Sequence, residues 1–500
     1  MGIPSYFSYI IRNHPRIIQV YEKNKLPINN FYLDCNSIIY DSVSKIDFTK
    51  MSSSCDKDKI IIGSVIKKLD EYIELICPLN KIFIAFDGVA PLAKIEQQRE
   101  RRFKMQATST STSTSWNTIS ITPGTIFMRL LTNQITEYYA SNSKVIVSGS
   151  DKAGEGEHKI YEWLRKNTIK GEKSLVYGLD ADLIMLSINH LKYGEIYLFR
   201  ETPHFIQSIN ANLKPFHNYV LNIPLLCESM SILPADYIFI CFFAGNDFMP
   251  HFPSLNIRTG GINKLLKAYE ETNRVLINQA DNTINWTNVG YFILELSKRE
   301  NEYIVKEHKM REKPFHQEDK DEDPMLFIPM RERQVEKYIN PLKLFWENRY
   351  YMALHDIDYG EDKDKNKVND LCMNFLEGLE WCFRYYSGEC PDWRWKYKAR
   401  YPPLLRDIVT YMSETIVENN FVKREPVSDI TQLSYVLPFS SLYLLPEKFS
   451  KVLKERKEWY PQTNKPIDEL YVWAYCRYFW EAHAILPEID IDELEQMLSV

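Results

Sequence analysis

Three short apolar runs in the first half of the chain each lead straight into an aspartate. Phe31-Tyr-Leu runs into Asp34, Ile82-Phe-Ile-Ala-Phe86 into Asp87, and Leu175-Val-Tyr-Gly-Leu179 into Asp180, with Asp182 two residues on. These runs and two more, at 144–147 and 195–199, read as strands, and helical patterns over 60–76, 91–105, 124–139 and 155–166 separate them. Such alternation predicts an α/β fold, a mostly parallel sheet flanked by helices. The carboxyl ends of its strands would border the crevice where open sheets of this kind gather ligands and metals.

Seven carboxylates qualify as ligands there. Beside Asp34, Asp87, Asp180 and Asp182, there are Glu155 and Glu157 in Gly154-Glu-Gly-Glu-His158, and Asp247 in Ala244-Gly-Asn-Asp247. Five of the seven stand at the ends of apolar runs that read as strands. A lone aspartate there is as often a turn former or a helix cap. Seven converging acids repel one another unless cations bind between them, and oxygen-only ligands suit Mg²⁺ or Mn²⁺. Two such ions about 3.5–4 Å apart can cut phosphodiesters. The i, i+2 spacing of Asp180 and Asp182 on an extended segment predicts that both point to one side. Glu155 and Glu157 fall at a predicted helix start, where the bland reading is two acids favoured by the helix dipole.

Length sets the organisation. Five hundred residues exceed one ordinary core. We expect a metal-dependent nuclease domain over 1–275, a linker over 276–335 and a helical segment rich in Tyr, Trp and Phe over 336–500. The net charge of −6 gives no global sign of a nucleic-acid partner, so any such binding rests on local basic patches. No basic-then-apolar leader opens the chain, and Tyr6 stands where a myristoylation motif needs Ser or Thr. The apolar run 237–244 is too short to span a bilayer. Nine scattered cysteines without a Cys-x-x-Cys pair fit neither zinc nor a disulfide framework. The expectation is a soluble intracellular protein with no membrane contact, cytoplasmic in preference to nuclear. The Ser/Thr-rich stretch 107–115 reads as a mobile surface loop, and the acidic stretches 317–323 and 356–370 as solvated loops.

Between Asp87 and the Ser/Thr-rich stretch, the predicted helix places Lys94, Gln98, Arg101 and Arg102 on one face. Three cations and an amide on one side make a natural phosphate clamp. The bland alternative is a solvated basic helix with Glu96 and Glu100 in surface pairs.

Long blocks of the sequence resemble the XRN family of 5′→3′ exoribonucleases. They are Met-Gly-Ile-Pro-Ser-Tyr-Phe at residues 1–7, Tyr32-Leu-Asp-Cys-Asn36, Phe86-Asp-Gly-Val-Ala-Pro91, Gln97-Gln-Arg-Glu-Arg-Arg-Phe103, Gly154-Glu-Gly-Glu-His-Lys159, Tyr177-Gly-Leu-Asp-Ala-Asp-Leu-Ile-Met185 and Gly245-Asn-Asp-Phe-Met-Pro-His251. They occur in family order, and a looser likeness continues through 346–351, 378–401, 433–446 and 484–494. The resemblance implies a flap-endonuclease-like (PIN-like) nuclease core with a second, mainly helical segment packed beside the active site. It implies that the seven acids hold two Mg²⁺ ions, Mn²⁺ being an alternative, and that Lys94, Gln98, Arg101 and Arg102 form the pocket for a 5′ phosphate. In the family a histidine and a tryptophan sandwich the first bases. This chain has Tyr40 at the histidine position, and the tryptophan is Trp393 or Trp395. The long C-terminal extension of the large members and the zinc knuckle of some nuclear members are absent, which reads as a minimal catalytic core of a size that suits a large DNA virus or a lower eukaryote.

The resemblance implies processive 5′→3′ hydrolysis of single-stranded RNA with a 5′ monophosphate, giving 5′-mononucleotides, with a functional link to a decapping enzyme. Two alternatives stand beside it: a structure-specific DNA nuclease of the flap-endonuclease type, and an inactive RNA-binding scaffold. The oligomeric state has no signature in the sequence.

Overall fold

A computed structural model describes residues 5–23, 25–48, 54–108, 116–203, 206–313, 324–360, 364–415, 417, 421–461 and 465–499. Its centre is a seven-stranded sheet. The strands are β1 (Ile18–Val20), β2 (Asn30–Asp34), β3 (Lys81–Ala85), β4 (Val145–Ser148), β5 (Lys173–Tyr177), β6 (Glu195–Glu201) and β7 (Asn218–Asn222), in the spatial order β1-β7-β6-β5-β2-β3-β4. The five strands from β6 to β4 are parallel, and β7 and β1 extend one edge antiparallel. All five strands expected from the sequence are present. The two antiparallel strands β1 and β7 have no counterpart in that reading: β1 is three residues long with two of them exposed, too short for a period to register.

The helices of this half are α1 (Tyr6–Asn13), α2 (Asn36–Ser44), α3 (Ser54–Ile76), α4 (Leu92–Thr108), α5 (Ile126–Tyr138), α6 (Gly156–Asn167) and α7 (Asp182–His190). Successive side chains of a strand point to opposite faces, so β2 feeds two cores. Phe31 and Leu33 pack with α2, α3 and α5, whereas Tyr32 packs on the other face with α6 and α7. Burial on both faces is what makes these strands read as unbroken apolar runs. The chain steps from β2 outward to β3 and β4, then crosses back to β5 and β6 on β2's other side. The order therefore reverses between β2 and β5, and their carboxyl ends flank the crevice.

Most of the second segment shares its cores with the first half, and only a small cluster around Tyr471, Trp473 and Phe479 is its own. Helix Lys365–Ser387 adds Phe375, Leu379 and Phe383 to the core that holds Tyr32 and the apolar face of α6. Burying each such side chain contributes roughly 1.5–3 kcal/mol. Helix Asp429–Val436 packs Leu433 and Val436 against Leu92 and Ile95 of α4. A short ribbon, β8 (Tyr471–Val472) with β9 (His483–Ala484), lies near the end of the chain.

The stretch 276–335 differs from the expected linker. It contains helices Trp286–Ser297 and Glu300–Arg311, and Val289, Phe292, Ile293 and Leu296, spaced for one helix face, enter the larger core. The buried Asp236 carboxylate accepts the N–H groups of Leu276 and Ile277, tying the expected boundary to the helix Pro234–Cys241. Residues 109–115 of the Ser/Thr-rich stretch and the whole of 317–323 lie outside the described residues, so the loops expected there are not described. Of the other acidic stretch, 365–370 opens helix Lys365–Ser387. Among the described residues no helix is long and apolar enough to cross a membrane.

One buried ion pair fixes how the former linker meets the end of the chain. Arg311 Nε and Nη2 donate to Glu336 at 2.9 and 2.7 Å, Arg311 Nη2 also donates to the Cys476 carbonyl, and Tyr475 N–H donates to Glu336. Arg333 Nη1 also lies 3.6 Å from Glu336, but it does not replace the two direct hydrogen bonds from Arg311, and breaking a buried pair is strongly destabilising. Arg311→Leu should therefore cost about 3–5 kcal/mol of stability, measured by urea unfolding; a change within experimental error would contradict this account of the segment.

Candidate active site

The sheet's carboxyl edge supplies the first acids. β2 ends on Asp34, and Asp87 and Asp180 follow β3 and β5 in the connecting turns. Asn36 clamps Asp87: its Nδ2 donates to the carboxylate at 2.6 Å, and its Oδ1 accepts the Asp87 N–H at 3.1 Å. The first turn of α6 closes on the same carboxylate, with Gly156 N–H donating to Asp87 Oδ1 at 2.6 Å. A Cβ on Gly156 would lie 2.5 Å from Asp34 Oδ1, so the helix approaches the sheet this closely only with glycine there. Buried Lys159 ties α6 to the strand ends by donating to the carbonyls of Phe86 and Gly149, both at 2.8 Å.

Two local expectations change. Asp182 opens α7, after Ala181 in the α region, so Asp180 and Asp182 do not share the side of an extended segment. The apolar run before Asp247 is helical, Pro234–Cys241 followed by a tight turn Phe242–Ala244, because it is packed on all sides within the larger core. Gly245 then reverses the chain at φ 79°, and Asn246 Oδ1 accepts the N–H groups of Phe248 and Met249, which turns Asp247 inward.

Six of the seven acids line one cavity of about 210 Å³: Asp34, Asp87, Glu155, Glu157, Asp180 and Asp247. Asp182 lies behind its wall, buried, and interacts with Asp247 and Glu157. Burial and mutual repulsion dominate the electrostatics. Desolvation, then the charges of Asp87, Asp180 and Glu155, push Asp34 well above the usual carboxylate range. Desolvation followed by Asp182 and Glu155 does the same to Glu157, and desolvation with Asp247 raises Asp182 to about 7. Lys94 opposes this, reaching in from α4 with Nζ 2.5 Å from Asp247 and 2.7 Å from Glu155. Although burial works against both groups, the pairing holds Asp247 below the usual range and Lys94 well above its own.

These residues fit divalent cations by their donor chemistry. Glu157 Oε2 and Asp182 Oδ1 are buried with no hydrogen-bond partner among the described residues, a costly arrangement that a cation would relieve. The ligand atoms of Glu155, Glu157 and His158 lie within 4.8 Å of one another. His158 went unnoticed as a donor in the sequence because its setting comes from the second segment. Its ring lies flat on Tyr385 with centroids 3.6 Å apart, and Tyr385 also donates to Glu155 at 3.2 Å.

The cations of α4 line the same cavity: Lys94, Gln98, Arg101 and Arg102 are all on its wall. Gln98 accepts from the buried Gln432. Arg102 Nη2 donates to Thr122 Oγ1, its Nε is buried without a partner among the described residues, and burial lowers its pKa to about 10. A guanidinium with a buried, unused donor suits an anion. Tyr40, on α2, lines the cavity and is 40% exposed. Neither tryptophan of Pro391-Asp-Trp-Arg-Trp-Lys396 does. Trp395 is buried with its ring stacked on Trp381 at 5.2 Å. Trp393 is half-buried, and its backbone carbonyl accepts the Leu92 N–H at the start of α4.

The raised acids give a pH signature. A carboxyl whose folded pKa lies above its unfolded value of about 3.9 keeps its proton longer in the native state, so native stability falls as pH rises between the two values. For Asp182 that window runs up to about 7. In EDTA, the midpoint of Asp182→Asn should rise relative to wild type as pH goes from about 4 to about 7 and hold steady above. Scanning calorimetry at several pH values checks this, and a pH-independent difference would remove the burden from Asp182.

Residues 1–202 match the family model described as XRN 5′-3′ exonuclease N-terminus, and 232–337 with 342–499 match the one described as Xrn1 helical domain. The second match begins well before the expected boundary at 275. The 5′-3′ exoribonuclease 1 of Saccharomyces cerevisiae is 25% identical over an alignment covering 100% of this chain and 43% of that protein. The 5′-3′ exoribonuclease 2 homolog of Drosophila melanogaster is 24% identical, with 100% and 71% covered. Human 5′-3′ exoribonuclease 1 is 27% identical, with 100% and 34% covered. The chain thus spans about half the length of the curated relatives it matches. Among solved structures, the catalytic core of Rad2 in complex with DNA substrate has a TM-score of 0.36 at 12% identity, covering 60% of this chain and 75% of that one. Flap endonuclease-1 from Methanococcus jannaschii has a TM-score of 0.30 at 15% identity, covering 52% and 82%. With family models matched from residue 1 to residue 499 and few gaps between them, the chain belongs to the XRN family of 5′-3′ exonucleases.

Proposed function

We propose that this protein is a 5′→3′ exoribonuclease that removes nucleotides one at a time from single-stranded RNA bearing a 5′ monophosphate. The observation that carries the reading is the half-buried Arg102, whose Nε is buried without a partner among the described residues, on the wall of a cavity ringed by carboxylates. An anion-seeking group and a cation-seeking group within one small space are what end recognition and phosphodiester cleavage need together. The names of the relatives, 5′-3′ exoribonucleases 1 and 2, support the same class of reaction.

Arg102, Gln98 and Arg101 would hold the terminal phosphate from one face of α4, and Lys94 would stand between that phosphate and the acids. Asp34, Asp87, Glu155, Glu157, Asp180, Asp182 and Asp247 would hold two divalent cations, Mg²⁺ or Mn²⁺. Bound there, the cations would lower the pKa of an attacking water and stabilise the leaving 3′ oxygen. Tyr40 offers a π face for the first base, since base–aromatic stacking tolerates any aromatic. Trp393 is the better candidate for its partner, because Trp381 already covers the ring of Trp395.

At about 210 Å³ the cavity is smaller than the roughly 300–1,000 Å³ of ordinary ligand sites. It has room for one phosphate and the bond to be cut. A capped or triphosphate end would need trimming by a separate activity before it entered.

The test compares one single-stranded RNA with a 5′ monophosphate, hydroxyl or triphosphate in Mg²⁺. Rapid release of mononucleotides from the monophosphate form alone is expected. Arg102→Ala should reduce the preference for monophosphate over hydroxyl ends by about tenfold or more, the worth of one charged hydrogen bond. Equal loss on both ends would remove Arg102 from end sensing, and equal rates on all three RNAs in the wild type would overturn the monophosphate reading.

A further inference from the structure

Helix α4 has two lined faces. Lys94, Gln98 and Arg102 face the acidic cavity, whereas Ala93, Glu96, Glu100 and Lys104, spaced for the opposite side of the helix, face a second cavity of about 730 Å³. Gln97, Arg101, Met105 and Asp247 border both, so one helix and one loop form the wall between them. The far side comes from the second segment, at 396–400 and 479–483 around β9.

The charges on this wall are unevenly settled. Its carboxylates have partners: Glu96 accepts from Lys396 and Tyr435, Glu481 from Arg258 and the Arg477 N–H, Asp247 from Lys94, and Glu100 lies 4.0 Å from Lys104. Lys104 Nζ donates to the carbonyls of Trp480 and Ala482. Arg101 and Arg400, by contrast, make no ion pair or side-chain hydrogen bond among the described residues, and both border the cavity. Beside them Trp480 is 39% exposed, with its ring stacked on Tyr478 at 5.3 Å. Arg400 acts electrostatically on the half-buried Glu100, helping Lys104 to favour its charged form. Two guanidinium groups outside any ion pair and an accessible indole in a mostly apolar chamber of ligand size suit a molecule with one phosphate and one flat ring system.

We infer that this second cavity binds the nucleoside 5′-monophosphate released by each cut, with Arg101 and Arg400 on its phosphate and Trp480 against its base. The inference rests on the exonuclease reading above. A small acidic cavity filled by the next phosphate has no space for a freed nucleotide, and RNA blocks the way back. Arg101 borders both spaces, so it can follow the phosphate from one to the other.

The test uses the full chain in EDTA, where no hydrolysis occurs, titrated with adenosine 5′-monophosphate in a calorimeter, with adenosine as the probe that lacks the phosphate. Arg400→Glu and Trp480→Ala should each weaken the nucleotide by roughly tenfold, adenosine should bind more weakly still, and Arg102→Ala should leave a nucleotide site in place. In Mg²⁺, added adenosine 5′-monophosphate should slow multiple turnover of wild type more than that of Arg400→Glu, while the first cut runs at the same rate in both. Nucleotide affinity indifferent to both Arg400→Glu and Trp480→Ala would overturn the assignment, as would its complete loss in Arg102→Ala. If wild type degrades monophosphorylated RNA but the nucleotide ignores both variants, the cavity assignment falls and the exonuclease reading stands. If the nucleotide binds through Arg400 and Trp480 yet no RNA is degraded, the site stands and the exonuclease reading falls.

Discussion

Everything around the crevice answers to one unfavourable interaction, the crowding of buried carboxylates where neither water nor distance can separate their charges. Asp34, Glu157 and Asp182 are all pushed toward protonation by burial and by one another. A protein does not keep such a cluster for stability, since each unpaired buried charge is costly. Lys94 pairs directly with Glu155 and Asp247 and acts on the other acids as well, and Lys94 depends on the position of α4.

The second segment fixes that position. Leu433 and Val436 pack on the apolar side of α4, Lys396 pairs with Glu96, and Gln432 reaches Gln98. Arg99, 2% exposed, spends its guanidinium on the carbonyls of Pro487 and Trp459. The helix is thus held from the side opposite the sheet, and the segment beside the active site acts as its scaffold. Lys396, which pairs with Glu96 of α4, also lines the larger cavity behind the helix. One helix consequently divides an acidic cavity from a mostly apolar one, with Arg101 on the border of both.

Much of this was legible from residue order because the relevant signals are local. The parallel strands are buried on both faces and read as apolar runs, and the acids at their ends mark the crevice. Helical spacing put Lys94, Gln98, Arg101 and Arg102 on one face, and all four do line one cavity. What stayed illegible depends on contacts distant in the chain. The apolar run before Asp247 is helical because it is enclosed on every side, which erases its period. The stretch after residue 275 reads as polar in part, yet Val289, Phe292 and Ile293 bury one face of it. The setting of His158 comes from Tyr385, and the covering of Trp395 from Trp381, and no local pattern announces either.

The most direct test of the central claim is a thermal unfolding series at neutral pH in EDTA and with increasing Mn²⁺, on wild type and on Glu157→Gln. A cation that binds only the folded state raises the midpoint by mass action. The account predicts that Mn²⁺ raises the wild-type midpoint saturably, that Glu157→Gln begins higher in EDTA because one repelling charge is gone, and that it gains less from the metal. A wild-type midpoint that ignores Mn²⁺, with Glu157→Gln no more stable in EDTA, would contradict it.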